Sequence, residues 1–175
     1  MAMKSRADSY GSVAMVVHWL TAIAILGLLW AGFAAADMTD EATKIQLLRL
    51  HTSTGITVLA LTIFRIGWWL FADRLPEETA GLPRWQGMSA RIVHRLLYLV
   101  IVLLGASGIA LMALSGAGEV LAGNAVGLPD FNDYSPRAVH GIAARLLIAL
   151  TVLHVVAALY HQFVRKDGTL SRMLP

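Results

Sequence analysis

Four long apolar runs alternate with polar links along the chain. The first covers Val13 to Ala36 and is broken only by His18 and Thr21, and the second extends from about Leu47 to Phe71 with Arg49, His51 and Arg65 inside it. The third covers roughly Arg91 to Leu114 with His94 near its start, and the fourth runs from Ala138 to Val164. As a helix rising about 1.5 Å per residue, each run crosses the roughly 30 Å hydrocarbon layer of a bilayer. The links carry the residues that end helices. Asp37 to Leu48 holds Asp37, Asp40, Glu41 and Lys44, with Thr39-Asp40-Glu41 able to cap a short helix; Asp73 to Ser89 holds Pro76, Gly81, Pro83 and Gly87; Ser115 to Pro136 is glycine-rich with Asn124, Asp130, Asn132 and Asp133. The pattern predicts an all-α integral membrane four-helix bundle over residues 1–175, with helices at about 13–36, 47–71, 91–114 and 138–164.

The basic start, the apolar run and Ala34-Ala35-Ala36 before Asp37 mimic a signal peptide. A signal's apolar region has about 7 to 15 residues. This run is longer, so it is expected to remain as the first span.

Composition agrees with a membrane setting. The chain is 57% hydrophobic and 14% charged with a mean hydropathy of +0.65, against about a quarter charged residues in a soluble domain. Cysteine is absent, which excludes disulfides, thiolate metal sites, iron-sulfur clusters and thioether-linked haem. Any iron must hang on histidine.

Charge sets the expected orientation. The two tails and the second link with its flanks hold Lys4, Arg6, Arg74, Arg84, Arg91, Arg95, Arg165, Lys166 and Arg172, against Lys44, Arg49 and Arg137 on the other side. Nine cations against three predict that both termini are cytoplasmic. The net charge of +3 is thereby topology, and no basic helix or aromatic-basic motif points to nucleic acid.

The fourth run carries His140, His154 and His161, at spacings of 14 and 7. Both spacings return a helix to nearly the same face, and the first two rings lie roughly 21 Å apart along the axis. That is too far to share one metal ion. His51 lies two residues inside Arg49 and His140 three inside Arg137, so both fall near the outer surface. His18 lies 19 residues from Asp37 and His154 17 from Arg137, depths of roughly 28 and 26 Å. The levels match as an outer pair, His51 with His140, and an inner pair, His18 with His154. His94 also falls near the inner level, so the residues leave open whether it or His154 faces His18. His161 lies deeper still.

Ionisable side chains within spans are rare, face the bundle interior and are functional by default. Imidazole suits zinc, copper and iron, but a tetrahedral zinc site wants four ligands at one level. A pair of opposed imidazoles fits a planar iron macrocycle between helices. Gly55, one turn below His51, and Gly141, beside His140, offer small residues where such a ring nears the backbone. Arg65 and Arg145 each want an anion, for which a haem propionate serves, as does an acidic side chain or a backbone carbonyl. The competing reading for any one membrane histidine is a hydrogen-bonded packing residue; the methionines read as core filling and the five tryptophans as interfacial anchors.

His18-Trp19, His51 with Gly55, His94, His140 and His154 fourteen apart, His161 and the ending Lys166-Asp167-Gly168-Thr169-Leu170 resemble the bacterial cytochrome b561 family over nearly the whole chain. The wider superfamily includes the cytochrome b subunits of nickel-iron hydrogenases and formate dehydrogenases. The resemblance implies a protein of the bacterial inner membrane with two haem b groups, and in one branch a superoxide oxidase that passes electrons to ubiquinone. On that reading superoxide meets the outer haem, the electron moves to the inner haem, and two such events reduce a quinone. Lys44, Arg49 and Arg137 then steer the anion, unless they bridge Asp37, Asp40, Asp130 or Asp133. His94 and His161 become proton donors or quinone-headgroup ligands. The Ser115 to Pro136 link and Arg145 do not match the family pattern residue by residue. Two other readings stay open: an electron-carrying anchor joining a partner dehydrogenase or soluble cytochrome to quinone, and a haem-free transporter of metal or protons.

Overall fold

The computed structural model describes residues 2–77 and 83–174. Four helices among them are long and apolar enough to cross a membrane: α1 (Ser12–Asp37), α2 (Glu41–Gly67, running on through a wider turn to Ala72), α3 (Arg84–Ser115) and α5 (Ser135–Tyr160, continued likewise to Arg165). A short α4 (Ala117–Ala122) sits between α3 and α5. These are the four predicted spans.

Their starts differ from the hydropathy reading, for local reasons. Asp40 caps α2 itself, accepting the Thr43 amide at 2.9 Å, so the helix begins at Glu41 and not near Leu47. Helix α3 begins at Arg84 and not Arg91, because Pro83 precedes it and its carbonyl receives the amides of Gln86 and Gly87. Its first turns are polar, so Gly87 is buried within a helix that the composition read as a link. Gly81 lies outside the described residues. Gly116, at φ +70°, adopts the left-handed conformation that stops α3 and lets α4 turn away.

Helix α1 packs along α2, α3 packs along α5, and the two pairs join where α2 meets α3. The buried centre is an apolar layer of Ile25, Val58, Val100, Ala143, Leu147 and Leu150, backed by Leu28, Leu29, Leu97 and Leu104. Outward, large apolar side chains remain exposed on every span, among them Ile23, Trp30, Ile63, Leu99, Ile109, Ile142 and Val156. In water that surface would cost about 25 cal/mol per Å²; against lipid tails it costs nothing, which is why the bundle needs only a thin core.

Both termini lie at one end, with the α2–α3 connection. The Arg172 guanidinium donates to the carbonyls of Ala7, Asp8 and Glu77 at 2.7 to 2.8 Å, and the Tyr10 amide donates to the Arg172 carbonyl. The Trp19 indole donates to the Met173 carbonyl at 2.9 Å and the Trp68 indole to Asp73 at 3.1 Å. Asp73 also receives the Ser5 amide and hydroxyl. Three separated segments are thereby tied into one cap.

Burial works to raise the Asp73 carboxyl, but the Arg74 and Ser5 amides, the Ser5 hydroxyl and the Trp68 indole outweigh it and hold the group below its ordinary value. A depressed carboxyl stabilises the fold above its unfolded pKa of about 4, and that stabilisation is lost as pH falls through the folded value. Asp73→Ala is therefore expected to speed amide exchange at Ser5 and Arg74 by about tenfold or more while the span amides stay unchanged. In the wild-type protein the same speeding should appear only below about pH 4.

Candidate functional site

Five of the six histidines fall into two layers on either side of the apolar centre. On the side away from the termini, the rings of His51 on α2 and His140 on α5 face each other with centroids 6.1 Å apart. On the termini side, His18 on α1 and His154 on α5 face each other at 6.2 Å. Each pair joins a helix of one packed hairpin to a helix of the other. Two imidazoles gripping one metal from opposite sides, each nitrogen at about 2.0–2.1 Å, have ring centres roughly 6 Å apart. Both pairs meet that spacing. His94 approaches His154 at 5.1 Å, closer than two rings opposed across one metal would stand.

Hydrogen bonds fix how these rings are protonated. The His51 Nδ1 lies 3.1 Å from the Leu28 carbonyl, which can only accept, so the proton sits on Nδ1. The Ser107 hydroxyl spends its single proton on the Leu104 carbonyl at 3.1 Å, and its oxygen therefore accepts from His140 Nδ1 at 3.1 Å. In both rings Nε2 keeps a free lone pair, the arrangement of a metal-bound histidine whose other nitrogen is held by an oxygen. His94 Nδ1 likewise meets the Ala90 carbonyl at 2.8 Å.

The termini-side layer differs. His18 Nδ1 lies 3.1 Å from Nη1 of Arg65, which can only donate. Arg65 lies 5.8 Å from the Tyr98 ring centre, and its Nε is buried without a partner. The Thr21 hydroxyl, one turn from His18, is buried and unpartnered too. Among the described residues no carboxylate pairs with Arg65. A half-buried guanidinium and a hydroxyl with spare donors beside a histidine pair fit a ligand that carries its own carboxylate, which haem does.

Gly32 and Gly108 bring backbone against the rings of the other layer. A Cβ on Gly32 would lie 3.1 Å from His51 Cε1, and one on Gly108 3.4 Å from His140 Cε1. Gly141, the expected place for close approach, instead lies against the Arg137 and Arg145 guanidiniums, at 3.4 and 3.3 Å from where its Cβ would stand, because that side of α5 turns away from α2. Gly55 meets only Leu28, at 3.9 Å. The signal for Gly32 and Gly108 was in the sequence: each lies 14 residues beyond a histidine of its own helix, His18 and His94.

The expected steering cations gather at the end away from the termini. Arg49 Nε donates to the Leu121 carbonyl at 2.7 Å, and Arg145, exposed, donates to the Gly141 carbonyl at 3.0 Å. Among the described residues Lys44, Arg49 and Arg137 make no ion pair, while Asp40 and Asp130 cap their own turns. At the opposite end His161 is hydrogen-bonded to Asp167, which also takes the Thr169 hydroxyl at 2.6 Å. His161 lies apart from both pairs, against Tyr160.

The family model for prokaryotic cytochrome b561 matches residues 9–175. The chain belongs to the prokaryotic cytochrome b561 family. It is 34% identical to cytochrome b562 of Cereibacter sphaeroides, over 94% of this chain and 94% of that one. It is 28% identical to cytochrome b561 homolog 1 of Escherichia coli K12 (96% of this chain, 98% of the relative) and 26% identical to the probable superoxide oxidase CybB of Yersinia pestis (95% and 96%). As a member of this family the chain is a haem b electron-transfer protein of a bacterial membrane. A cytochrome family removes the haem-free transporter as a reading of the histidines.

Gly32→Val is expected to push His51 off its line to His140, as overfilling a packed contact costs about 1 to 3 kcal/mol. The purified variant should bind less haem per chain than the wild-type protein, as read by pyridine haemochrome assay.

Proposed function

We propose that this cytochrome holds two haem b groups, one between His51 and His140 and one between His18 and His154, and carries electrons from superoxide outside the cell membrane to ubiquinone inside it. The observation that carries the reading is the pair of opposed imidazole pairs at 6.1 and 6.2 Å on either side of one apolar layer. Haem held by these histidine pairs would supply a one-electron couple. What the chain adds is placement, charge and protons.

The cap end, with its excess of Lys and Arg, is assigned to the cytoplasm. Superoxide gives up one electron at the opposite face and leaves as oxygen. Lys44, Arg49 and Arg137, free of acidic partners among the described residues, attract the anion to that face. Two electrons and two protons convert ubiquinone to ubiquinol. His161, held by Asp167, and His94, beside His154, stand at the cap end where those protons would be passed. The name of the Yersinia pestis relative adds weight to superoxide as donor.

Stopped-flow mixing of the oxidised, two-haem protein with superoxide tests the donor. The haem bands should reduce directly, at a rate that falls with ionic strength, and a Lys44→Ala, Arg49→Ala, Arg137→Ala triple variant should slow by about tenfold or more at low salt. Reduction that requires a partner dehydrogenase or soluble cytochrome would contradict the assignment and favour the anchor reading.

A further inference from the structure

The two histidine layers are alike in spacing and unlike in charge. On the side away from the termini, Nδ1 of His51 and of His140 each face a neutral oxygen, the Leu28 carbonyl and the Ser107 hydroxyl. Such partners accept the ring proton and make the imidazole a stronger donor to a metal, which favours the ferric state. On the termini side, His18 faces a guanidinium at 3.1 Å, and that cation has no carboxylate among the described residues to offset it.

We propose that Arg65 is a positioning residue for electrons: its charge raises the reduction potential of the haem between His18 and His154 above that of the haem between His51 and His140, so that electrons run towards the end bearing the termini. This rests on the di-haem reading above. Ferric haem carries one more positive charge than ferrous haem, and a fixed neighbouring cation therefore favours reduction. The step is a single electron, one iron reduced as the other is oxidised, with no bond made or broken and no proton moved.

Position decides the size of the effect. Arg137, one turn before His140, is also a cation near a histidine, but it stands at the first turn of α5, where water and salt screen it. Arg65 lies within the α2 span, with its Nε buried and its guanidinium over Tyr98. A charge so placed acts through low dielectric. Arg65 Nη1 and a protonated His18 Nδ1 cannot share one line, so with a metal on His18 Nε2 the guanidinium would need another acceptor. With a propionate as that acceptor, Arg65 cancels a negative charge that would otherwise favour ferric iron, and the sign of its effect is unchanged.

Spectroelectrochemical titration of the membrane protein in detergent tests this, with His140→Ala identifying the termini-side couple. In the wild-type protein that couple should be the higher by at least tenfold in its reduction equilibrium, about 59 mV for one electron. Arg65→Gln should lower it by at least tenfold and move the other couple by less than twofold. Arg65→Lys, which keeps the charge, should hold it within about threefold of wild type. Equal shifts in Gln and Lys, or equal shifts at both haems, would overturn the role of Arg65. Should Arg65→Gln lose a haem, the wild-type order decides: a termini-side couple equal to or below the other overturns the proposal. A wild-type protein with fewer than two haems would overturn the di-haem reading and this inference with it, whereas two haems with unshifted potentials would overturn this inference alone.

Discussion

An imidazole inside a bilayer has no water to satisfy it, so a protein oxygen that meets one ring nitrogen also aims the ring. The Leu28 carbonyl aims His51, and the Ser107 hydroxyl, already committed to Leu104, aims His140. Holding Nδ1 leaves Nε2 free to point across the bundle. The rest of the fold serves this. Two helical hairpins supply the facing rings, and the bundle stays together without a thick core because lipid takes the outward apolar surface.

The apolar centre has a second consequence. Ile25, Val58 and Leu147 each stand seven residues from a histidine of their own helix, so a dry layer separates the two ring pairs. The two ends can then carry unlike chemistry. One gathers cations without acidic partners among the described residues, and the other is tied shut by Arg172 and Asp73 and holds the His161–Asp167 pair.

The spans were legible because membrane thickness sets a minimum apolar length that few other constraints imitate. Their starts were not, because Asp40 and Pro83 act through single hydrogen-bonding groups and the polar first turns of α3 carry no hydropathy signal. The facing of His51 with His140 followed from counting depth in two helices, whereas the glycines expected at the close approach are Gly55 and Gly141 and not Gly32 and Gly108, which stand 14 residues beyond His18 and His94. Ser107 and the Leu28 carbonyl were out of reach. Which atom meets a ring from a neighbouring helix depends on the rotation and register of that neighbour, which the sequence of one helix does not state. Arg65 was legible as a cation in search of an anion; its line to His18 was visible only in three dimensions.

The central claim is that two opposed pairs of rings each grip one iron. The most direct measurement is an anomalous difference map at the iron absorption edge from crystals of the purified, coloured protein. Two peaks per chain are expected, one between His51 and His140 and one between His18 and His154. A single peak, a peak between His94 and His154, or pairs of rings with no iron between them would contradict the account.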